Sequence, residues 1–129
     1  MSKSIPTTFF DMIPLPIIVV KHSDETLNHL LVFLNSSFNN VIGWDLTEIP
    51  DKKHWWFKAY PDPSYQKVVE SLWEIGMESL DSNNDSFVIV TVNIMTKYNG
   101  VKRFKVYTEL KSALMKGYYV VALEEVTES

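Results

Sequence analysis

The stretch Trp55–Trp73, WWFKAYPDPSYQKVVESLW, holds three of the four Trp residues in this 129-residue chain. It also contains the clearest helix start in the sequence. Asp62 is placed to accept the free amides of a first helical turn, and Pro63 follows at the one helical position where a missing amide costs nothing. From there Tyr65, Val68, Val69, Leu72, Trp73 and Gly76 recur at spacings of three and four. That spacing predicts one apolar helix face running to about Met77 or Leu80. Aromatic bulk just before and inside such a helix reads either as core packing or as the wall of a ligand chamber. Large rings stabilise by burial in both cases.

Outward from that helix, the N-terminal third opens with Thr8–Ile13, one amphipathic turn stopped by Pro14 and Pro16. Pro16–Val20, PIIVV, is an unbroken β-branched run and reads as a strand covered on both faces. His22–Asn28 are turn-like, and His29–Leu34, HLLVFL, reads as a second strand. Asn35 is placed to cap a short helix that Gly43 closes. Asp45 and Glu48 have capping-box spacing and predict a further short helix, stopped by Pro50.

The C-terminal third reads as a meander. After a loop at Asp81–Asp85, Phe87–Met95 forms a strand, and Asn99-Gly100 marks a tight hairpin turn with both central residues suited to positive φ. Val101–Leu110 alternates, with Phe104, Val106, Thr108 and Leu110 on one face. A connection over Lys111–Gly117 leads to the final strand, Tyr118–Val126. Two strands, a helical block and three strands predict an α+β fold: a five-stranded antiparallel sheet with helices packed on one face. The most apolar strands, Ile17–Val20 and Tyr118–Leu123, belong at its centre.

Composition narrows the function. Twelve basic and sixteen acidic residues give a net charge of −4, which argues against a surface that tracks nucleic-acid phosphates. Lys102, Arg103 and Lys105 read as a solvated strand face. No apolar run has the length of a membrane span or a signal-peptide core. The chain has no Cys, so disulfides, thiolate metal sites and cysteine adducts are excluded; a cytoplasmic location is expected. Gly-x-Ser-x-Gly and glycine-rich phosphate loops are also missing. A cone-shaped α+β enzyme would open with helices, whereas this chain opens with strands, so no catalytic residue is assigned.

Four motifs in order resemble the PAS domain, or sensory box, over residues 9–128. They are FLNSSFNNVIGWDLTEI, with Asn35, Ser37, Phe38, Gly43, Trp44 and Glu48; the Trp-Tyr-Pro-Asp-Pro-like segment from Trp55; the hairpin glycine Gly100; and the ending EEVTE, where Glu125 replaces the family's usual Asp. The resemblance implies a sheet cupping a small chamber, with residues 1–14 as a lead-in and 15–128 as the sensory domain. Trp55, Trp56 and Tyr60 would close one end of the cup. Candidate chamber residues are Trp44, Trp56, Leu72, Trp73, Phe104 and Val106, with Thr91, Asn93 and Thr108 as polar contacts.

Light-sensing flavin and coumaroyl versions of the family use a cysteine, and haem versions carry a His on the long helix. Neither is present here, so no cofactor is expected. His22, His29 and His54 read as surface or capping residues. The outer sheet face, with Phe9, Phe10, Ile18, Tyr118, Val120 and Ala122, is the candidate homodimer interface. Glu125, Val126 and Thr127 are the expected signal exit toward an output domain such as a diguanylate cyclase or histidine kinase. A ligand-free interaction module is the alternative reading.

Overall fold

A computed structural model describes residues 5–80, 87–110 and 115–127. The loop expected at 81–85 and most of the connection expected at 111–117 lie outside the described residues. Helix α1 (Thr7–Met12) precedes strands β1 (Ile17–Lys21) and β2 (Leu30–Leu34). Helices α2 (Ser36–Val41), α3 (Lys52–Ala59) and α4 (Pro63–Glu78) follow. Strands β3 (Phe87–Met95), β4 (Val101–Glu109) and β5 (Tyr118–Glu125) complete the chain. The strands form one antiparallel sheet in the order β2-β1-β5-β4-β3. The two most apolar strands, β1 and β5, therefore sit side by side in its interior, as their composition requires.

Two clusters sandwich the sheet. On the inner face, Ile18, Val20, Val90, Val92, Phe104, Val106 and Leu123 pack with Phe38, Trp55, Tyr60 and Val69. On the outer face, Ile17 and Val19 pack with Phe10, and Val32, Phe33, Val120 and Ala122 surround them. A bulge lets β2 serve both. Its register skips Val32 between the pairs Val19↔Phe33 and Val20↔Leu31, so Leu31 and Leu34 both enter the inner cluster while Val32 and Phe33 face outward.

Strand alternation corrects two sets of expectations. Ile18 faces the inner core, so it cannot belong to an outer interface. In β3 the buried residues are Val88, Val90, Val92 and Ile94. Thr91 and Asn93 consequently fall on the opposite face, where Asn93 accepts a hydrogen bond from Arg103 at 3.0 Å.

Local chemistry accounts for the other differences. The hairpin runs through Thr96–Gly100 instead of turning tightly at Asn99-Gly100. Thr96 donates its amide and hydroxyl to the Gly100 carbonyl, and within this turn only Gly100 has positive φ. Asp45 and Glu48 do exchange capping-box bonds, but they close a single turn and no helix forms before Pro50. Pro50 denies the next amide and biases Ile49 away from helical backbone. Helix α3 was not expected; Asp51 caps it by accepting the His54 amide at 2.9 Å. Helix α4 starts at the Asp62 cap as expected, although Val68 lies outside its buried face.

Asn35 binds the N-terminal half together. Its side chain is fully buried. Oδ1 accepts the amides of Ile17 (2.8 Å) and Phe38 (3.0 Å), and Nδ2 donates to the carbonyls of Phe10 (2.8 Å) and Leu15 (2.9 Å). Truncation would orphan these buried backbone groups, each at a cost of about 1–3 kcal/mol if unsatisfied. Asn35→Ala is expected to lower stability by about 3–4 kcal/mol in urea unfolding, seen as a reduced midpoint at unchanged slope.

Candidate functional site

Between the inner sheet face and helices α3 and α4 lies a cavity of about 360 Å³. That size lies near the lower end of the roughly 300–1,000 Å³ range of small-molecule sites. Its floor is Ile18 and Val20 of β1, Val106 and Thr108 of β4, and Tyr119 and Val121 of β5. Lys52, Trp55, Trp56 and Tyr60 close it from the α3 side, and Trp73 and Met77 from α4. His22, His29, Leu31, Glu109 and Leu110 complete the lining.

The spacing within α3 explains this wall. Residues 52, 55, 56 and 60 fall on one helical face at offsets of three, four and eight. The rings brace one another: Trp55 lies 5.7 Å from Phe38, Trp56 5.1 Å from Tyr60, and Tyr60 6.1 Å from Tyr65, centroid to centroid. Tyr60 is buried, and burial pushes its phenol well above the ordinary range.

The polar end of the cavity is built around His29, which is 8% exposed. Its Nε2 lies 3.2 Å from the Ser23 carbonyl and its Nδ1 2.7 Å from the Tyr119 hydroxyl. A carbonyl can only accept, so Nε2 carries the proton and Nδ1 accepts from Tyr119. Both ring nitrogens are thereby engaged. Burial lowers the His29 pKa from its ordinary value; the Ser23 bond opposes that shift, while Lys52 and His22 reinforce it. Burial also pushes the Tyr119 phenol up to about 12. Glu109 is buried at the same end and accepts the Val120 amide at 3.0 Å. Burial holds the Lys52 ammonium below its ordinary pKa.

Of the candidate chamber residues, Trp56, Trp73, Val106 and Thr108 are on the lining. Phe104 and Leu72 pack in the surrounding core, away from the lining. Trp44 turns toward the hairpin, where its Nε1 donates to the Met95 carbonyl at 3.1 Å and Lys58 lies 4.9 Å over its ring. The polar residues on the lining are Thr108 together with His22, His29, Lys52, Glu109 and Tyr119; Thr91 and Asn93 are not on it. Tyr119 was accessible from alternation, since placing Val120 outward places Tyr119 inward. His54 and His22 are surface residues paired with Asp51 and Asp24, and His22 also borders the cavity; His29 is buried on the lining and departs from the surface reading.

No metal-binding cluster of His, Cys, Asp or Glu occurs among the described residues. No described helix is long and apolar enough to cross a membrane.

Because burial favours neutral His29, the unfolded chain takes up its proton at the higher pH. The stabilisation is full above the ordinary value near 6.5 and is lost as pH falls through the lower folded value. Wild-type stability should therefore fall on acidification from about pH 7 to pH 5. His29→Gln, measured by urea unfolding across that interval, should remove this component of the slope.

No family model matches the sequence, and no curated protein matches it. Solved structures do match by fold. A PAS domain from Colwellia psychrerythraea superposes with a TM-score of 0.63 at 10% identity, covering 95% of this chain and 94% of that one. The Rhodobacter sphaeroides LOV protein gives 0.61 at 11% identity, covering 95% of this chain. This chain spans 66% of the length of that protein. The LOV domain of a blue-light activated histidine kinase from Erythrobacter litoralis gives 0.57 at 12% identity, covering 90% and 99%. The antiparallel five-stranded sheet, its helical cover and these superpositions together give this chain the PAS fold.

Proposed function

We propose that this chain is a ligand-sensing module: residues 15–128 form the sensor, residues 1–14 form a lead-in, and the cavity takes a small molecule. The observation that carries this reading is the 360 Å³ cavity itself. It is walled by aromatic residues yet ends in a set of placed polar groups, the combination typical of small-molecule sites. Cysteine-adduct flavin chemistry does not fit, because the sequence has no Cys. Haem ligation by His29 does not fit either, because both of its nitrogens are engaged. The module has no assigned catalytic role. A C-terminal output domain, of the histidine kinase or diguanylate cyclase kind, would receive the signal through Glu125, Val126 and Thr127.

The test is thermal unfolding of the wild type and Val106→Phe against a panel of small metabolites, with an absorption spectrum of the purified protein. A compound that raises the wild-type Tm by mass action should lose that effect in Val106→Phe, whose ring fills the cavity floor. An equal shift in both proteins would place the site elsewhere, and a stoichiometric flavin or haem band would replace the ligand class.

Dimerisation through the outer sheet face accompanies this reading. Phe10 is already buried within its own chain against Ile17 and Val19. The surface left for a partner is therefore Phe9, Met12, Tyr118, Val120 and Ala122, continued by Phe87 and Ile89. Wild type should sediment as a dimer at high micromolar concentration, and Val120→Glu or Phe9→Glu as a monomer. An unpaired charge buried in an apolar interface costs several kcal/mol. A monomeric wild type at that concentration would overturn the dimer.

A further inference from the structure

Among the described residues Lys52 is the one lysine on the cavity lining, and it is only partly exposed. Together with Trp56 it also lines a surface groove with Leu27, Asn28 and Lys53. Lys52 and Trp56 therefore stand between the cavity and that groove. None of the ion pairs among the described residues involves Lys52. Its pKa is lowered by burial. A partly buried ammonium beside an apolar chamber, with no ion-pair partner among the described residues, is a charge that a ligand carboxylate can complete.

Resting on the ligand-sensing reading, we propose that the cavity recognises a small aromatic carboxylic acid. Its ring lies among Trp55, Trp73 and Val121, and its carboxylate pairs with Lys52. Two features select this class. Trp55, Trp56, Tyr60 and Trp73 present ring faces and edges that favour an aromatic body over a flexible chain. One lysine matches one negative charge, while phosphate recognition draws on arginine forks or clustered donors that do not occur among the described lining residues. Thr108, on the floor, supplies a hydroxyl for a second contact with the acid.

The experiment uses the whole chain and three probe pairs: phenylacetate, 3-phenylpropionate and indole-3-acetate, each beside its neutral primary amide. Calorimetric titration should show each binding acid exceeding its amide by about tenfold or more. Lys52→Met keeps the apolar stem and removes the charge. It should reduce acid affinity to the amide level and leave amide affinity unchanged. Lys52→Arg should restore the preference for the acid, and matching thermal unfolding of the unliganded proteins excludes a folding defect. If acids and amides bind alike, or Lys52→Met leaves the preference intact, Lys52 merely extends to solvent and the carboxylate assignment is overturned, while the sensing reading stands. If neither acids nor amides bind at millimolar concentration, the aromatic-acid class is overturned; the sensing reading falls with it only if the wider metabolite panel also gives no shift in the wild type.

Discussion

One amide side chain holds the geometry on which everything else depends. Asn35 ends β2, caps α2, receives the first amide of β1 and holds the carbonyls of Phe10 and Leu15 in the lead-in. The position needs an acceptor facing two amides and a donor facing two carbonyls within one planar group. Asp would turn a negative oxygen toward the carbonyls, and Ser could not reach all four partners. Because the site is fully buried, water cannot substitute. The consequence is mutual. The same amide that starts β1 under the cavity also seats α1 on the outer face, where Phe10 is 1% exposed.

The cavity follows from what is placed on the inner face. Its β1 and β5 floor is aliphatic and tyrosine-bearing, while its α3 wall carries large flat rings on a helix of only eight residues. Flat rings braced against Phe38 and Tyr65 are not free to collapse onto the sheet. Flexible side chains such as Leu or Met would adapt to fill the gap. The aromatic density of Trp55–Trp73 is thus both core and chamber wall. Trp55 shows this directly, being 8% exposed, packed on Phe38, and on the cavity lining.

Much of this architecture was legible in the residues. The β-branched run at Ile17–Val20, the alternation in Val101–Glu109 and the Asp62-Pro63 start each carry a physical signal that local context does not override. The losses have identifiable causes. Phe87–Met95 alternates apolar residues with Ile89, Thr91 and Asn93, and the apolar Ile89 on the outer side obscured which side was inward. Helix α3 mixes Lys52, Lys53, His54 and Lys58 with its aromatics, so composition masked an ordered stripe at 52, 55, 56 and 60. Reading Asp51 as a cap would have revealed that stripe, and Lys52 with it. His29 needed tertiary information, because its partner Tyr119 is 90 residues away.

The pleat of β1 and β5 is also the physical link between the two faces. Ile18, Val20, Tyr119 and Val121 face the cavity, while their immediate neighbours Ile17, Val19, Tyr118 and Val120 face outward. The strands pair directly through Ile18↔Val121 and Val19↔Val120. A change in what the inner side chains touch therefore acts on a backbone whose next residue belongs to the outer surface, with no intervening loop or hinge. β5 then runs to Glu125, and the Val126 amide donates to the Arg103 carbonyl at 2.8 Å, which ties the end of the strand to the start of β4. Such continuity permits coupling but does not supply its energy. A ligand shifts the outer face only by the difference between its affinities for two arrangements of the sheet, and equal binding to both shifts neither. The place where such a difference can arise is the polar end, since a carboxylate at Lys52 would sit beside the His29–Tyr119 hydrogen bond, and that bond joins the start of β2 to the central strand.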